Sequence, residues 1–114
     1  MAPVLYHNPR CSKSRQTLAL LQEKGIAPRI VEYLKTPPDA TTLAELIGKL
    51  GIPAKALLRK GEDAYKELGL KDVEDDGALI AAMAAHPVLI ERPILVNGAK
   101  AAIGRPPESV LDIL

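Results

Sequence analysis

The only cysteine of the 114-residue chain, Cys11, lies in a polar segment with the residue types needed for thiol chemistry. Arg10, Lys13 and Arg15 place cationic groups around it, and the pattern predicts that a helix begins immediately after it. The thiolate is the reactive form of cysteine, and the N–H groups at a helix N-terminus and nearby cations favour it. The same N–H groups bind anions. One location can therefore activate a nucleophile and hold an anionic substrate, and the polar neighbours predict that Cys11 is not buried.

Two polar residues near Cys11 have open roles. Ser14 occupies the third position after the cysteine, where a dithiol redox site carries its second cysteine. Ser14 either hydrogen-bonds the sulfur or belongs only to the first helical turn, and His7 either tunes the thiol or lies on the surface at a strand end. With one cysteine, the chain cannot form an internal disulfide, and no CxxC or His/Cys cluster offers a zinc site.

Three of the six arginines lie at breaks in the predicted regular structure: Arg59, Arg92 and Arg105. A guanidinium group is always charged and recognises oxyanions through several hydrogen bonds. Arg92 and Arg105 bracket a predicted hairpin, so antiparallel pairing should bring them together at one end of the two strands. The Arg92-Pro93 peptide bond is a candidate for the cis form, which the sequence leaves open.

The elements that position these residues follow from apolar patterning and turn residues. A strand at 4–6, a helix at 12–24 and a strand at 29–33 form a β-α-β unit, and Cys11 lies where the first strand leads into the helix. A helical block follows at about 37–87, with Asp39 as an N-cap. Strands at 92–96 and 100–103 flank Asn97-Gly98, which is a strong hairpin signal, and a last helix begins at 108. The order predicts an α/β sheet with a helical insertion.

Composition narrows the class of protein. Apolar residues make up 47% of the chain, which is enough for a core, but there is no Phe or Trp and only three Tyr. A net charge near +1 and the scarcity of stacking aromatics argue against nucleic-acid binding. No apolar stretch approaches the roughly 20 residues that span a bilayer, and the start lacks the pattern of a signal peptide. We therefore expect a single cytoplasmic domain over 1–114 that does not bind membranes.

Ordered motifs along the chain resemble those of the ArsC family, the glutaredoxin-dependent arsenate reductases of the thioredoxin-like superfamily. The segment Tyr-His-Asn-Pro-Arg-Cys-Ser-Lys-Ser-Arg at 6–15 resembles the family signature. Further similar segments are 33–38, 56–60, 86–94, 104–107 and 110–114. The resemblance covers nearly the whole chain and is closest to the short subfamily. It implies a thioredoxin-like, four-stranded mixed sheet with the helical insertion before the C-terminal hairpin and helix.

The resemblance also implies roles for individual residues. Cys11 matches the catalytic cysteine. The residues that match the oxyanion-binding arginines are Arg59, Arg92 and Arg105. His7 and Ser14 match the residues that tune the thiol, Arg10 adds to the local positive field, and Pro93 matches a cis-proline. Spx-type regulators are relatives that use a CxxC switch, and Ser14 stands in place of its second cysteine.

The function implied by the resemblance is reduction of arsenate to arsenite through a covalent adduct on Cys11. Glutathione would be the co-substrate and glutaredoxin the protein that restores the thiol, with no bound cofactor or metal, and the protein is expected to be a monomer. Two alternatives stay open. The first is a glutathione-dependent reductase of another oxyanion or of mixed disulfides, and the second is a non-enzymatic, Spx-like protein that binds a partner.

Overall fold

The computed structural model describes residues 2–114, and within these residues the chain forms two compact units. The first unit combines the N-terminal segment up to Thr36 with the C-terminal segment Arg92–Leu114. The second unit is Pro37–Glu91. Over the described part of the chain, no helix is both long and apolar enough to cross a membrane.

The first unit is built on a mixed sheet that the described residues form with four strands. Strand β1 (Val4–His7) pairs in parallel with β2 (Arg29–Glu32) and antiparallel with β3 (Ile94–Asn97). Strand β3 pairs antiparallel with β4 (Lys100–Ile103), so the order is β2-β1-β3-β4. The predicted β-α-β unit and the predicted four-stranded mixed sheet are confirmed. The other elements of this unit are helix α1 (Ser12–Glu23), which lies between β1 and β2 in the chain, and a C-terminal 3₁₀ helix (Pro107–Ile113).

Two of these elements differ from their predictions. Strand β3 begins at Ile94 instead of residue 92, because the Arg92 carbonyl accepts a hydrogen bond from the Arg105 side chain outside the strand ladder. The last segment is a 3₁₀ helix instead of the expected helix. The segment opens at Pro107, a position where the missing N–H costs no intrahelical hydrogen bond.

The hairpin between β3 and β4 is confirmed, but its turn is displaced by one residue. Asn97 pairs with Lys100 as the last pair of the ladder, so the two loop residues are Gly98 and Ala99. Gly98 has a φ of 62°, and every positive φ in the described residues belongs to a glycine. A positive φ at only the first loop position is typical of a type II′ turn, in which glycine avoids a steric penalty.

An aliphatic core lies between the sheet and α1. Leu5, Leu21, Leu95 and Val110 are fully buried and come from β1, α1, β3 and the C-terminal 3₁₀ helix. Burying such side chains is worth about 1.5–3 kcal/mol each, so this cluster fixes α1 against the sheet. The N-terminus of α1, which follows Cys11, is thereby held at the end of β1.

The second unit contains only helices and one short bridge among its described residues. The helices are α2 (Ala40–Leu50), α3 (Asp63–Glu67) and α4 (Asp76–Ala85), with 3₁₀ helices at Ala54–Leu57, Leu70–Asp72 and Pro87–Leu89. Asp39 caps α2 as predicted, because its carboxylate accepts the Thr42 N–H. Leu58 pairs with Ile90 in an antiparallel bridge, which extends the unit beyond the predicted boundary at 87.

Candidate active site

Cys11 occupies the N-cap position of α1. Its backbone N–H donates to the Asn8 carbonyl at 3.0 Å, and its carbonyl accepts the Arg15 N–H at 3.0 Å. No side-chain cap hydrogen bond forms at this end among the described residues, and the first turn contains no acidic residue. The sulfur therefore takes the position where a serine or aspartate oxygen usually accepts the first N–H groups of a helix.

Cys11 is buried, with 8% of its surface exposed, so the prediction of an accessible cysteine was wrong. One of the groups that lie against the thiol comes from the other end of the chain. Arg105 points its Nη2 group toward Sγ at 3.8 Å. The polar neighbours of Cys11 in the sequence gave no indication of this contact, since it joins residues that are far apart in the chain.

The two arginines that bracket the hairpin meet as predicted. Arg105 donates from Nε to the Arg92 carbonyl at 2.9 Å, which fixes the direction of its guanidinium group. Arg92 itself is buried, with 9% of its surface exposed. The peptide bonds Arg92-Pro93 and Arg105-Pro106 are both cis. The sequence identified only the first as a candidate for the cis form.

Gly104 places Arg105 close to α1, and the sequence pattern did not single it out. A Cβ atom at Gly104 would lie 2.5 Å from Thr17 Oγ1 and 2.7 Å from Pro93 Cγ, distances at which atoms overlap. Thr17 is fully buried, and its hydroxyl donates to the Lys13 carbonyl at 2.8 Å, so it cannot easily turn away. The available signal was a glycine immediately before an Arg-Pro-Pro segment, since a close approach of the backbone to another element needs a residue without a side chain.

His7 and Ser14 form a buried pair behind the cysteine loop. Ser14 Oγ lies 2.6 Å from His7 Nδ1 and accepts the Asn8 N–H at 3.0 Å. Burial lowers the pKa of His7 below its ordinary value of 6.5; Glu32 acts in the opposite direction, and Arg15 lowers it further. A neutral imidazole can accept the Ser14 proton at Nδ1. Through this contact and the hydrogen bond to the Asn8 backbone, both side chains fix the loop between β1 and α1.

The other cations of the cysteine loop are more exposed. The Arg10 N–H donates to Asn8 Oδ1 at 3.0 Å, which forms a tight turn and leaves the Arg10 side chain in solvent. Arg15 donates from Nη1 to the Pro9 carbonyl at 3.0 Å. Arg15 therefore ties the loop to the first turn of α1, and the contribution of Arg10 to the charge around Cys11 stays a prediction.

Arg59 belongs to the second unit. Its Nη1 group forms a short ion pair with Glu62, and its Nε lies 3.8 Å from a carboxylate oxygen of Glu91. Its backbone N–H donates to the Leu89 carbonyl at 2.8 Å, beside the bridge of this unit. The role of Arg59 in oxyanion binding stays a prediction. Among residues 2–114, no group of three or more His, Cys, Asp or Glu side chains is arranged to hold a metal ion.

Comparison with known proteins decides the family. The model of the ArsC family matches residues 6–113, which is almost the entire chain. The chain belongs to the ArsC family. The ArsC match spans every residue singled out above, from the His7 end of β1 to the Arg105 turn.

Relatives of this ArsC protein align over most of their length. An arsenate reductase of Neisseria meningitidis serogroup A is 50% identical over 112 residues, which cover 96% of each chain. YfgD of Escherichia coli K12, described as uncharacterized, is 56% identical over 112 residues, covering 96% of this chain and 94% of its own. A solved structure of an arsenate reductase from Vibrio cholerae superposes with a TM-score of 0.97 at 54% identity, covering 100% of this chain and 98% of that one. The predicted thioredoxin-like ArsC fold is confirmed.

Proposed function

We propose that this protein is an arsenate reductase that converts arsenate to arsenite through a covalent adduct on Cys11. The observation that carries the proposal is the position of Sγ, at an uncapped helix N-terminus and 3.8 Å from the Arg105 guanidinium group. Several relatives that align with the whole chain at about half identity carry the name arsenate reductase, which supports the choice of oxyanion.

Arsenate binds in this proposal at the N-terminus of α1, where backbone N–H groups and a cationic side chain favour an anion. Arg105 is the primary ligand, because its guanidinium group already lies beside the sulfur and is held by the Arg92 carbonyl. Arg92 adds a second cation of the same unit, and the role that the resemblance implies for Arg59 stays a prediction. Each well-placed charged donor is worth about 2–4 kcal/mol in the transition state.

The first chemical step joins sulfur to arsenic. The Cys11 thiolate attacks As(V), the S–As bond forms, and one arsenate oxygen leaves as water after protonation. Neither sulfur nor arsenic changes its oxidation state at this point. The developing negative charge on the arsenate oxygens faces the helix N-terminus and Arg105, which stabilise it without rearrangement.

The second step transfers two electrons and needs a thiol from outside the chain, because Cys11 is the only cysteine. A glutathione thiolate attacks Sγ, the new S–S bond forms, and the S–As bond breaks with its electron pair remaining on arsenic. Arsenic leaves as As(III), and two sulfurs are oxidised to a mixed disulfide. Glutaredoxin then attacks the glutathione sulfur and releases the Cys11 thiolate. These steps require no metal, flavin or nicotinamide bound to the protein.

A coupled assay tests the proposal. Purified protein is supplied with glutathione, glutaredoxin, glutathione reductase and NADPH, and arsenate-dependent NADPH consumption is followed. Turnover should be lost in Cys11→Ser, and retained turnover in that variant would overturn the mechanism. Ser12→Ala, a change at an exposed neighbouring residue, is the matched control.

The same assay distinguishes the two alternatives that the sequence left open. Equal turnover with a panel of other oxyanions or with mixed-disulfide substrates, and no preference for arsenate, would point to a broader glutathione-dependent reductase. Absence of turnover on every substrate, together with a stoichiometric partner captured by Cys11→Ser protein, would point to a non-enzymatic binding protein. Turnover that requires Cys11 and is clearly faster with arsenate than with the other substrates excludes both.

A further inference from the structure

A cavity of about 260 Å³ lies beside the cysteine loop and is not used by the oxyanion site. One wall is the segment after β1, including Asn8 and Arg10, and the other is the turn after β2, including Leu34 and Lys35. Cavities that hold drug-sized ligands have volumes of about 300–1,000 Å³, and this cavity is slightly smaller. It is suited to a short, flexible molecule that stays partly in solvent.

The second wall is held in place by a turn of the backbone. The Glu32 carbonyl accepts the N–H groups of Lys35 and Thr36, each at 2.9 Å, so the chain reverses directly after β2. This reversal leaves Leu34 46% exposed at the cavity. An apolar side chain is therefore presented next to charged groups, as in sites that bind short peptides.

The charges around the cavity favour a ligand with a carboxylate. Arg10 and Lys35 supply two cations, whereas Glu32 supplies one carboxylate. Lys35 Nζ lies 3.6 Å from Glu32 Oε1, and the lysine side chain is 79% exposed. Such an exposed pair contributes little stability, so the lysine can exchange this partner for a ligand carboxylate while Glu32 accepts an ammonium group.

The order of the strands separates the cavity from the oxyanion-binding arginines. Cys11 follows β1, the cavity wall follows β2 on one side of β1, and Arg92 and Arg105 flank β3 and β4 on the other side. A thiolate that displaces arsenic from Sγ must approach in line, opposite to the S–As bond. An oxyanion held toward Arg105 therefore leaves the β2 side of the sulfur for the attacking thiol.

We propose that this cavity binds a small peptide thiol that carries carboxylates, of which glutathione is the probe, and that it directs this thiol toward the Cys11 adduct. The inference rests on the proposed reductase function. Arg10 and Lys35 would bind ligand carboxylates, Glu32 the amino group, and Leu34 the aliphatic part. The thiol supplies one of the two sulfurs that are oxidised when arsenic leaves as As(III).

Steady-state kinetics of a charge reversal at Lys35 test the cavity. Lys35→Glu should raise the KM for glutathione about fivefold or more, because it replaces an attraction by a repulsion, while the KM for arsenate changes less than about twofold. With 2-mercaptoethanol, which has no carboxylate, the variant and the wild-type protein should behave alike. Lys24→Glu, at the exposed far end of α1, is the matched control. It should change neither the KM for glutathione, nor the KM for arsenate, nor the rate with 2-mercaptoethanol.

Binding of S-methylglutathione, which cannot react, separates this inference from the proposed function. Its titration into ¹⁵N-labelled protein should shift the amide resonances of Arg10, Leu34 and Lys35, and Lys35→Glu should weaken that binding. Arsenate turnover with an unchanged glutathione KM in Lys35→Glu, or resonance shifts elsewhere, would overturn the cavity assignment and leave the reductase function intact. Binding at the cavity without arsenate turnover in the wild-type protein would instead contradict the reductase function.

Discussion

Arg105 contacts the sulfur of Cys11 across the N-terminus of α1, with Nη2 at 3.8 Å from Sγ. The two residues are close because β4 ends beside β3, and the Arg92 carbonyl then holds Arg105 Nε at 2.9 Å. The arginine side chain is thus oriented before any substrate arrives. A pre-oriented cation is effective in stabilising a developing charge, since it needs no rearrangement during the reaction.

Replacement of Arg105 should slow the reaction of Cys11 with electrophiles. In Arg105→Gln, alkylation by iodoacetamide near pH 7 should be roughly tenfold slower than in the wild-type protein, because the thiolate loses a charged hydrogen-bond donor. Arg105→Lys should show an intermediate rate. Arg29→Gln, at the start of β2, removes the same charge at an exposed site and should have no effect. Equal rates in all three variants would show that Arg105 does not act on the sulfur.

A methyl group at Gly104 should disturb both stability and activity. In Gly104→Ala, the new Cβ overlaps Thr17 Oγ1 and Pro93 Cγ, so the free energy of unfolding should fall by about 1–3 kcal/mol. The turn that carries Arg105 must also shift, so kcat/KM for arsenate should fall. Urea unfolding and the coupled assay measure the two effects.

Gly48→Ala is the matched control for this change. Gly48 lies inside α2 with open space at its Cβ position, so alanine there should be neutral or stabilising by up to about 1 kcal/mol. In a double variant, Thr17→Ala should recover part of the stability lost in Gly104→Ala, because it removes one of the two overlaps. Strict additivity of the two changes would contradict this steric explanation.

Removal of the Ser14 hydroxyl should destabilise the cysteine loop. Ser14→Ala leaves the partly buried Asn8 N–H and the buried His7 Nδ1 without their hydroxyl partner, which should lower the free energy of unfolding by about 1–3 kcal/mol. Ser12→Ala changes an exposed serine in the same turn and should cost much less. If chemical denaturation gave equal losses for the two variants, the Ser14 hydroxyl would not be the element that fixes this loop.

Stability should depend on pH through His7. Its pKa in the folded protein is lowered by burial, so the unfolded chain takes up a proton first as the pH falls below the ordinary value of 6.5. The stabilising effect of the neutral buried imidazole is complete above that value and is lost as the pH falls toward the folded pKa. The free energy of unfolding should decrease across this window, and His7→Gln should flatten the decrease. His86→Gln, which replaces an exposed histidine, is the control and should leave the dependence of the free energy of unfolding on pH as in the wild-type protein. If His86→Gln removed this dependence, His7 would not be the cause of it.

The sequence predicted the sheet and its main helices because their signals are local. The apolar run before Cys11, the Asp39 cap and the glycine in the hairpin each depend on residues within a few positions of one another. The hairpin also predicted that Arg92 and Arg105 meet, since antiparallel pairing brings the two ends of a ladder together. The same local evidence did not give the first loop residue of the turn, which is Gly98 instead of Asn97.

The parts of the site that were not predicted depend on contacts between distant segments. Cys11 is in contact with Arg105, which lies 94 positions away in the chain. The need for glycine at 104 arises only where β4 meets Thr17 of α1. Local patterns do not encode such distances, so Cys11 was expected to be accessible and Gly104 was not singled out.

The position of the sulfur at the N-cap links the chemistry of the site to the folding equilibrium of the whole chain. A negative charge on Sγ, or on an oxyanion bonded to it, satisfies the helix donors and stabilises the native state, whereas a neutral mixed disulfide does not. By thermodynamic linkage, each state of Cys11 in the proposed mechanism should therefore have its own melting temperature. The melting temperatures of the reduced and glutathionylated forms should therefore differ, and a thermal denaturation curve would show which form of Cys11 is present.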